Sequence, residues 1–157
     1  MKKIIIVLLA GFILSAFSIP EKITPVALSV KELTGYKLRN NSFDYHDYNL
    51  WVVTNEETFN REFEPVHDSV LKPEFGSELV LAAKVETVNY TYQVRFKNIV
   101  EEKGNLQVYF SVKKQGNAGE SDSPLSMITF PKDHGIKKIN FYHDNVLVKT
   151  VPVVAVY

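Results

Sequence analysis

The stretch ELVLAAKVE, from Glu78 to Glu86, is apolar on both of the alternating faces that a β-strand presents. A strand with one face in water alternates apolar and polar residues, but every position from Leu79 to Ala83 is apolar here. Such a run is typical of a strand that is covered on both sides. The stretch therefore predicts a central strand of a sheet.

Two segments with strict alternation follow this strand, separated by the short glycine-containing connection EEKGN. Their spacing predicts an antiparallel hairpin with one face in the core. The alternating apolar and aromatic residues are Tyr90, Tyr92, Val94 and Phe96 in the first segment and Leu106, Val108, Phe110 and Val112 in the second.

A second hairpin is predicted near the end of the chain. The segments KKINFYH and VLVKTV flank Asp144 and Asn145, whose side chains tolerate the left-handed backbone of a two-residue turn. Such a turn sets Phe141 opposite Val148 and Tyr142 opposite Leu147. The face expected inward carries Ile139, Phe141, Val146 and Val148, and the outward face carries Lys138, Asn140, Tyr142 and Lys149.

Four weaker patterns complete the strand assignment, namely TPVALSVKEL (24–33), YNLWVV (48–53), SMITF (126–130) and PVVAVY (152–157). Pro152 has no backbone N–H to donate, so the last pattern predicts an edge strand or one that begins after a bulge. Aromatic residues make up 12% of the chain, which favours half-buried pleated surfaces. We therefore predict a mainly β, antiparallel sandwich-like domain, on the margin of the α+β class, with one short helix.

The helix is predicted over TNEETFNREF, from Thr54 to Phe63. Thr54 and Glu57 have the spacing of a capping box, in which each side chain bonds to the backbone N–H of the other residue. Phe59 and Phe63 lie four residues apart and share one face of the helix. Two turns are not stable alone, so we expect this helix to cover an apolar surface as a structural cap.

The first eighteen residues have the layout of a bacterial signal peptide. A positive start is followed by an apolar run from Ile4 to Leu14, which is short for a membrane span, and by the small residues Ala16 and Ser18. A retained signal anchor is the alternative. Because the chain has no cysteine, neither a lipoprotein anchor nor a disulfide can form. We expect a secreted or periplasmic protein with a signal peptide over 1–18 and a single domain over 19–157, with no membrane span in the mature chain.

The charge pattern indicates which classes of binding partner are expected. Without Lys2 and Lys3 the mature chain has 16 basic and 18 acidic residues, a net charge of about −2. No basic run exceeds a Lys-Lys pair, so nucleic acid is not an expected partner.

Every histidine has an aspartate next to it, which raises the question of metal binding or hydrolysis. The pairs are His46 with Asp47, His67 with Asp68, Asp133 with His134, and His143 with Asp144. Adjacent residues on a strand point to opposite faces, and neither an HExxH motif nor a GxSxG motif is present. We therefore assign no catalytic residue, no metal ligand and no cofactor.

The stretch FDYHDYN, from Phe43 to Asn49, is the candidate binding surface, with Tyr45, His46, Asp47 and Tyr48 as its site residues. Tyrosine and histidine beside aspartate can stack on sugar rings or contribute to a protein interface. The alternative is a loop whose aromatic side chains fold back onto the sheet. The polar stretch QGNAGESDS, from Gln115 to Ser123, is expected to be a flexible connection, with partner or cation contact as its alternative.

The order of three segments resembles that in the small secreted domains related to the C-terminal part of PrcB. The segments are TNEETFNREF, PEFGSELVLAAKV and SPLSMITFPK. The resemblance covers roughly Leu50 to Lys132. It departs at ETVNYTYQV, where that family usually has a glycine-rich turn. The resemblance implies a compact, mostly β domain associated with secreted protease complexes, and it supplies no catalytic residues. The matching positions are Pro73, Glu74, Phe75, Ser123, Pro124, Leu125, Pro131 and Lys132.

Three functional hypotheses follow. The first is a secreted non-catalytic accessory domain that binds or stabilises a protein partner, such as an envelope or protease complex. The second is a glycan-binding module that uses Tyr45, His46 and Tyr48, with Trp51 below them. The third is a metal-assisted hydrolase that uses the His and Asp neighbours.

Overall fold

The computed structural model describes residues 26–27, 30–39, 48–117, 124–132 and 135–153. Within these ranges the chain is mainly β, with one short helix, α1 (Glu56–Glu62), which confirms the predicted fold class. The strands are β1 (Val26–Ala27), β2 (Lys31–Leu33), β3 (Tyr36–Leu38), β4 (Asn49–Val53), β5 (Phe63–Pro65), β6 (Glu78–Lys84), β7 (Tyr90–Glu102), β8 (Asn105–Asn117), β9 (Ser126–Pro131), β10 (Lys138–His143) and β11 (Val146–Pro152).

The strands form two main sheets and a small ribbon. The five-stranded sheet has the order β1-β7-β8-β10-β11, the four-stranded sheet has the order β2-β9-β6-β4, and β3 pairs with β5. All described pairs are antiparallel except β8 with β10, which run parallel. The reason is that β9, which lies between them in the chain, crosses to the four-stranded sheet before β10 returns.

The first core lies between the two main sheets. Leu79, Leu81 and Ala83 of β6 point into it and are at most 1% exposed. The facing side chains come mainly from β7, β8 and β10, as expected for two sheets packed face to face. They are Val94, Ile99, Leu106, Val108, Phe110, Ile139 and Phe141.

The second core lies on the opposite face of the four-stranded sheet. Val80 and Ala82 of β6 point into it, and Phe59 and Phe63 cover them, with a ring centroid separation of 5.4 Å. The strand β6 is therefore buried on both faces, between β9 and β4, as its sequence predicted. The helix covers one face of the sheet, which confirms its predicted role as a structural cap.

The helix begins one residue later than the capping box predicted. Asn55 is the N-cap, and its Oδ1 accepts a hydrogen bond from the backbone N–H of Thr58 at 2.8 Å. The prediction that Thr54 caps the helix was therefore wrong. Both residues suit an N-cap, but the Asn55 backbone is extended (φ −149°, ψ 159°) and the helix starts at Glu56.

The turn between β10 and β11 is as predicted, with Asp144 and Asn145 in the left-handed region (φ 46° and 69°). Tyr142 lies opposite Leu147, but a bulge follows, so that Phe141 lies opposite Lys149. The predicted pairing of Phe141 with Val148 was therefore wrong, because a bulge sets two residues of one strand against one residue of its partner.

The bulge and the edge position of β11 also change which residues of this hairpin are buried and which are exposed. Ile139 and Phe141 are buried as expected, and Val148 packs partly against the first core. Val146 was expected inward but is 66% exposed, since it is the first residue of an edge strand beside the turn. Asn140 was expected outward and is nevertheless only 8% exposed.

The hairpin of β7 and β8 is also confirmed, with Lys103 and Gly104 in the left-handed region at its turn. Register shifts between Thr91 and Tyr92 and between Phe96 and Asn98 interrupt the alternation. Thr91 is fully buried and Tyr90 is exposed, so the expectation that Tyr90 is buried in the core was wrong. Leu106, Val108 and Phe110 are buried as expected.

The weaker patterns have mixed outcomes. YNLWVV and SMITF correspond to β4 and β9, whereas TPVALSVKEL contains two strands, of which β1 pairs with β7 and β2 pairs with β9. Pro152 is the last residue of β11, which is an edge strand of the five-stranded sheet. Residues 154–157 of the last pattern lie outside the described residues.

We expect Asn55→Ala to lower the free energy of unfolding by about 1 kcal/mol, because the N–H of Thr58 loses its partner. Thr54→Ala is the matched control and should change the free energy by less than about half that value. Denaturant unfolding of both variants measures the difference. A larger loss in Thr54→Ala than in Asn55→Ala would show that the predicted capping box operates in solution.

A second stability test concerns the β7–β8 turn. A Cβ atom at Gly104 would lie 2.9 Å from the carbonyl oxygen of Gly135, and the backbone there has φ +72°. We expect Gly104→Ala to cost about 1–2 kcal/mol from the left-handed backbone, with a further loss from this contact. Gly76→Ala is the control, since nothing lies within 4 Å of its added Cβ. Equal unfolding midpoints for the two variants would contradict this account of the turn.

Candidate functional site

Several connections leave the sandwich at one end, which we call the loop end. Asn49 at the start of β4 pairs with Lys84 at the end of β6, and Ser126 at the start of β9 pairs with Ala83. The chain therefore enters β4 and β9 and leaves β6 at this end. Both polar stretches singled out from the sequence precede one of these strands, because FDYHDYN leads into β4 and QGNAGESDS leads towards β9.

A cleft of about 330 Å³ opens at the loop end between the two sheets. Its lining combines three aromatic rings and two valines with one carboxylate and the hydroxyls of two tyrosines and one threonine. We call it the loop-end cleft, and its residues are Tyr48, Val85, Glu86, Thr87, Tyr92, Val112 and His143.

Tyr48 and His143 join the two sheets at this cleft. The Tyr48 hydroxyl lies 2.7 Å from His143 Nδ1, and His143 Nε2 lies 3.3 Å from a carboxylate oxygen of Asp144. Because the carboxylate only accepts, Nε2 carries the proton, and in the neutral ring Nδ1 accepts from the tyrosine hydroxyl. The imidazole also stacks on Phe110, with ring centroids 5.5 Å apart. These contacts fix the orientation of the His143 ring at the cleft wall.

Glu86 brings a buried carboxylate to the same cleft. Lys84 Nζ lies 3.2 Å from Glu86 Oε2, and each of the two side chains is only 10% exposed. This ion pair offsets the cost of burying the charge. However, Oε2 receives no aligned hydrogen bond from the described residues. This oxygen is also shielded from solvent, so the Lys84–Glu86 ion pair forms a polar part of the cleft wall and not an open acceptor for a ligand.

The predicted surface residues are only partly described. Tyr45, His46 and Asp47 lie outside the described residues, whereas Tyr48 lines the loop-end cleft. Trp51 and Tyr48 do not form one surface, although Trp51 was predicted to lie below Tyr48. Its ring packs against Phe63 in the second core, at a centroid distance of 5.8 Å, while Tyr48 packs against the first core.

The His and Asp neighbours have different surroundings. His67 and Asp68 are both exposed, and His143 contacts Asp144 because the aspartate lies in the turn and not on the strand. His46 with Asp47 and Asp133 with His134 lie outside the described residues. In the part of the chain that the structure describes, no group of three or more His, Asp or Glu side chains could hold a metal ion.

Sequence reasoning missed Glu86 and Tyr92 as site residues. One signal was present for Glu86, since Lys84 and Glu86 lie two residues apart and share a face at the end of an otherwise apolar strand. For Tyr92 there was no such signal, because its position depends on the bulge beside Thr91.

Comparison with known proteins provides no further identification. No family model, no curated protein and no solved structure matches this chain. The resemblance to PrcB-related domains therefore stays a hypothesis that depends on the three sequence segments. Among the described residues there is also no helix long and apolar enough to cross a membrane.

We expect Tyr48→Phe to lower the free energy of unfolding by about 1 kcal/mol, because His143 Nδ1 loses its hydrogen-bond partner. Tyr90→Phe removes a hydroxyl from an exposed ring and serves as the control, with an expected change below about 0.5 kcal/mol. Chemical denaturation measures both values. Indistinguishable variants would mean that the contact between the sheets contributes nothing to stability.

Proposed function

We propose that this protein is a secreted, non-catalytic accessory domain that binds a protein partner through the loop-end cleft. One observation carries the proposal, namely an open cleft lined by three aromatic rings and two valines beside the buried Lys84–Glu86 ion pair. The apolar N-terminal segment supports export, and the resemblance to PrcB-related domains supports a partner in an envelope or protease complex.

The chemistry of the cleft indicates which side chain of a partner would enter. Its volume of about 330 Å³ suits one large side chain. Tyr48, Tyr92 and His143 offer ring faces and edges to an apolar or aromatic group. Because Lys84 already balances the charge of Glu86, a neutral side chain such as tyrosine or tryptophan fits better than a second cation.

We call the partner side chain that would fill the cleft the anchor. An anchor of this kind agrees with the general energetics of protein interfaces. A few large side chains, tyrosine and tryptophan among them, carry most of the binding free energy when they enter a desolvated pocket. The surrounding loops then act as the rim. The strand residues Tyr92, Val112 and His143 form one wall of this cleft, and the hydrogen bond to His143 also holds Tyr48. Little ordering of these side chains would therefore be needed on binding.

The test places a photoreactive p-benzoylphenylalanine at Val88, which is 61% exposed and lies in the connection that follows Glu86. We expect irradiation of the producing cells to yield one dominant cross-linked protein at this position. Adding Tyr92→Ala should reduce the yield about fivefold or more, because the anchor loses one wall of its pocket. Mass spectrometry of the adduct identifies the partner and its anchor residue.

Two controls make the result specific. The same probe at Glu57, exposed on the helix beyond the far end of β4, should not capture that protein. Tyr90→Ala, which removes a tyrosine outside the cleft from the same strand as Tyr92, should leave the yield at Val88 unchanged. The proposal is wrong if the two probe positions capture the same proteins, or if Tyr92→Ala has no effect.

A further inference from the structure

The outer face of the five-stranded sheet carries two parallel rows of side chains that run across its strands. The pairing of β7, β8, β10 and β11 aligns each row. We call them the aromatic row and the amide row. The aromatic row is Asn98, Tyr109, Tyr142 and Leu147, and the amide row is Val100, Gln107, Asn140 and Thr150.

A groove of about 550 Å³ lies over this face. One of its margins is the bulge of β7 between Phe96 and Asn98, where Lys97 is the additional residue, and another is the turn formed by Asp144 and Asn145. Bulges are often found beside binding sites, because they redirect the side chains next to them. Here the bulge and the turn lie on either side of Tyr109 and make the sheet face concave.

From this groove we infer a second binding function: the outer face of the five-stranded sheet binds a neutral oligosaccharide. The inference goes beyond the proposed protein partner and involves a different surface. It depends on three features of the groove, namely its aromatic rings, its oriented amides and its balance of charge.

The aromatic row supplies flat apolar area. The rings of Tyr109 and Tyr142 stack with centroids 5.0 Å apart and planes 19° from parallel. Each ring therefore supports the other, and both are partly exposed. Tyr109 lines the groove, and Tyr142 holds the Tyr109 ring in place. The C–H groups on the face of a sugar ring are weakly positive, so they are attracted to the negative face of an aromatic ring.

The amide row supplies hydrogen-bonding groups of fixed orientation. Thr150 Oγ1 donates to Asn140 Oδ1 at 2.9 Å, and Asn140 Nδ2 donates to Gln107 Oε1 at 3.2 Å. Gln107 lines the groove, and this series of hydrogen bonds uses its side-chain oxygen, so its NH₂ group is the part of the amide that can donate to a ligand. A donor held in one orientation beside a ring suits a sugar hydroxyl, because little side-chain entropy is lost on binding.

The charges at the groove favour a neutral ligand. Lys97 contributes one positive charge, while Glu102 and Asp144 contribute two negative charges. A polyanion such as a nucleic acid or a sulfated glycan would meet repulsion from the two carboxylates. The core of a protein interface is depleted in charged residues, whereas three of the nine residues that line this groove are charged. The observations therefore favour a neutral sugar chain.

The experiment titrates the purified protein with neutral hexasaccharides and follows the backbone amide resonances by NMR. Cello-, manno-, laminari- and chitohexaose are the probes, and a hyaluronan hexasaccharide is the anionic comparison. We expect one neutral probe, at concentrations up to about 5 mM, to shift resonances of β7, β8 and β10 around Tyr109, and the anionic probe to shift none. Tyr142→Ala should then weaken binding about tenfold or more.

Controls separate loss of the site from loss of the fold. Tyr90→Ala is the matched variant, because its exposed ring lies on β7 outside the groove, and it should bind as the unmodified protein does. Gln107→Ala leaves both rings in place and should also weaken binding, with a dispersed NMR spectrum showing that the variant is folded.

Three results would overturn the inference. In the first, no neutral hexasaccharide shifts any resonance. In the second, the shifts occur at the loop-end cleft and not at the groove, which would place sugar binding at the aromatic loop. In the third, sedimentation shows self-association that depends on Tyr109 and Tyr142, which would make this face an interface between two copies of the chain.

Discussion

The burial of β6 on both faces is the constraint on which the rest of the structure depends. A strand with water on neither side needs a layer of structure above it and another below it. The five-stranded sheet provides one layer over Leu79 and Leu81, and the helix with the β3–β5 ribbon provides the other over Val80 and Ala82. This explains the short helix in the described, mainly β part of the chain. The helix is held by the packing of Phe59 and of Phe63, which directly follows it, and not by its own length.

The same strand determines where the candidate site lies. When β6 leaves the core it carries Glu86 to the loop end, within reach of Lys84 and at the margin of both sheets. Tyr48 immediately precedes β4 and His143 ends β10 in the opposite sheet, and the hydrogen bond between them joins two walls of the cleft. A site built from strand ends is held more rigidly than one built from loops alone, which favours selective binding.

The two proposed surfaces share one structural element, the turn after β10. Asp144 lines the groove on the outer sheet face, and its carboxylate contacts His143, which lines the loop-end cleft. A protein that holds a partner at its loop end and a sugar chain on its outer face would position that partner at a glycan surface. Such an arrangement fits an accessory domain in a cell envelope.

Local patterns in the sequence determined the central strand, both hairpins, the left-handed turn at Asp144 and Asn145, and a short helix with Phe59 on its buried face. Each depends on interactions between residues close in the chain, such as alternation, helical spacing and turn propensity. Phe63 was predicted on the same helix, but the structure ends the helix at Glu62 and begins β5 at Phe63. Only the tertiary structure decided the exposure of Tyr90, the burial of Thr91 and the position of the bulge that shifts the partner of Phe141. Within the candidate site, Tyr48 was predicted from the sequence. Glu86, Tyr92 and the contact with His143 were not. Those side chains meet because two sheets pack together, and packing between distant segments leaves no periodic signal in the sequence.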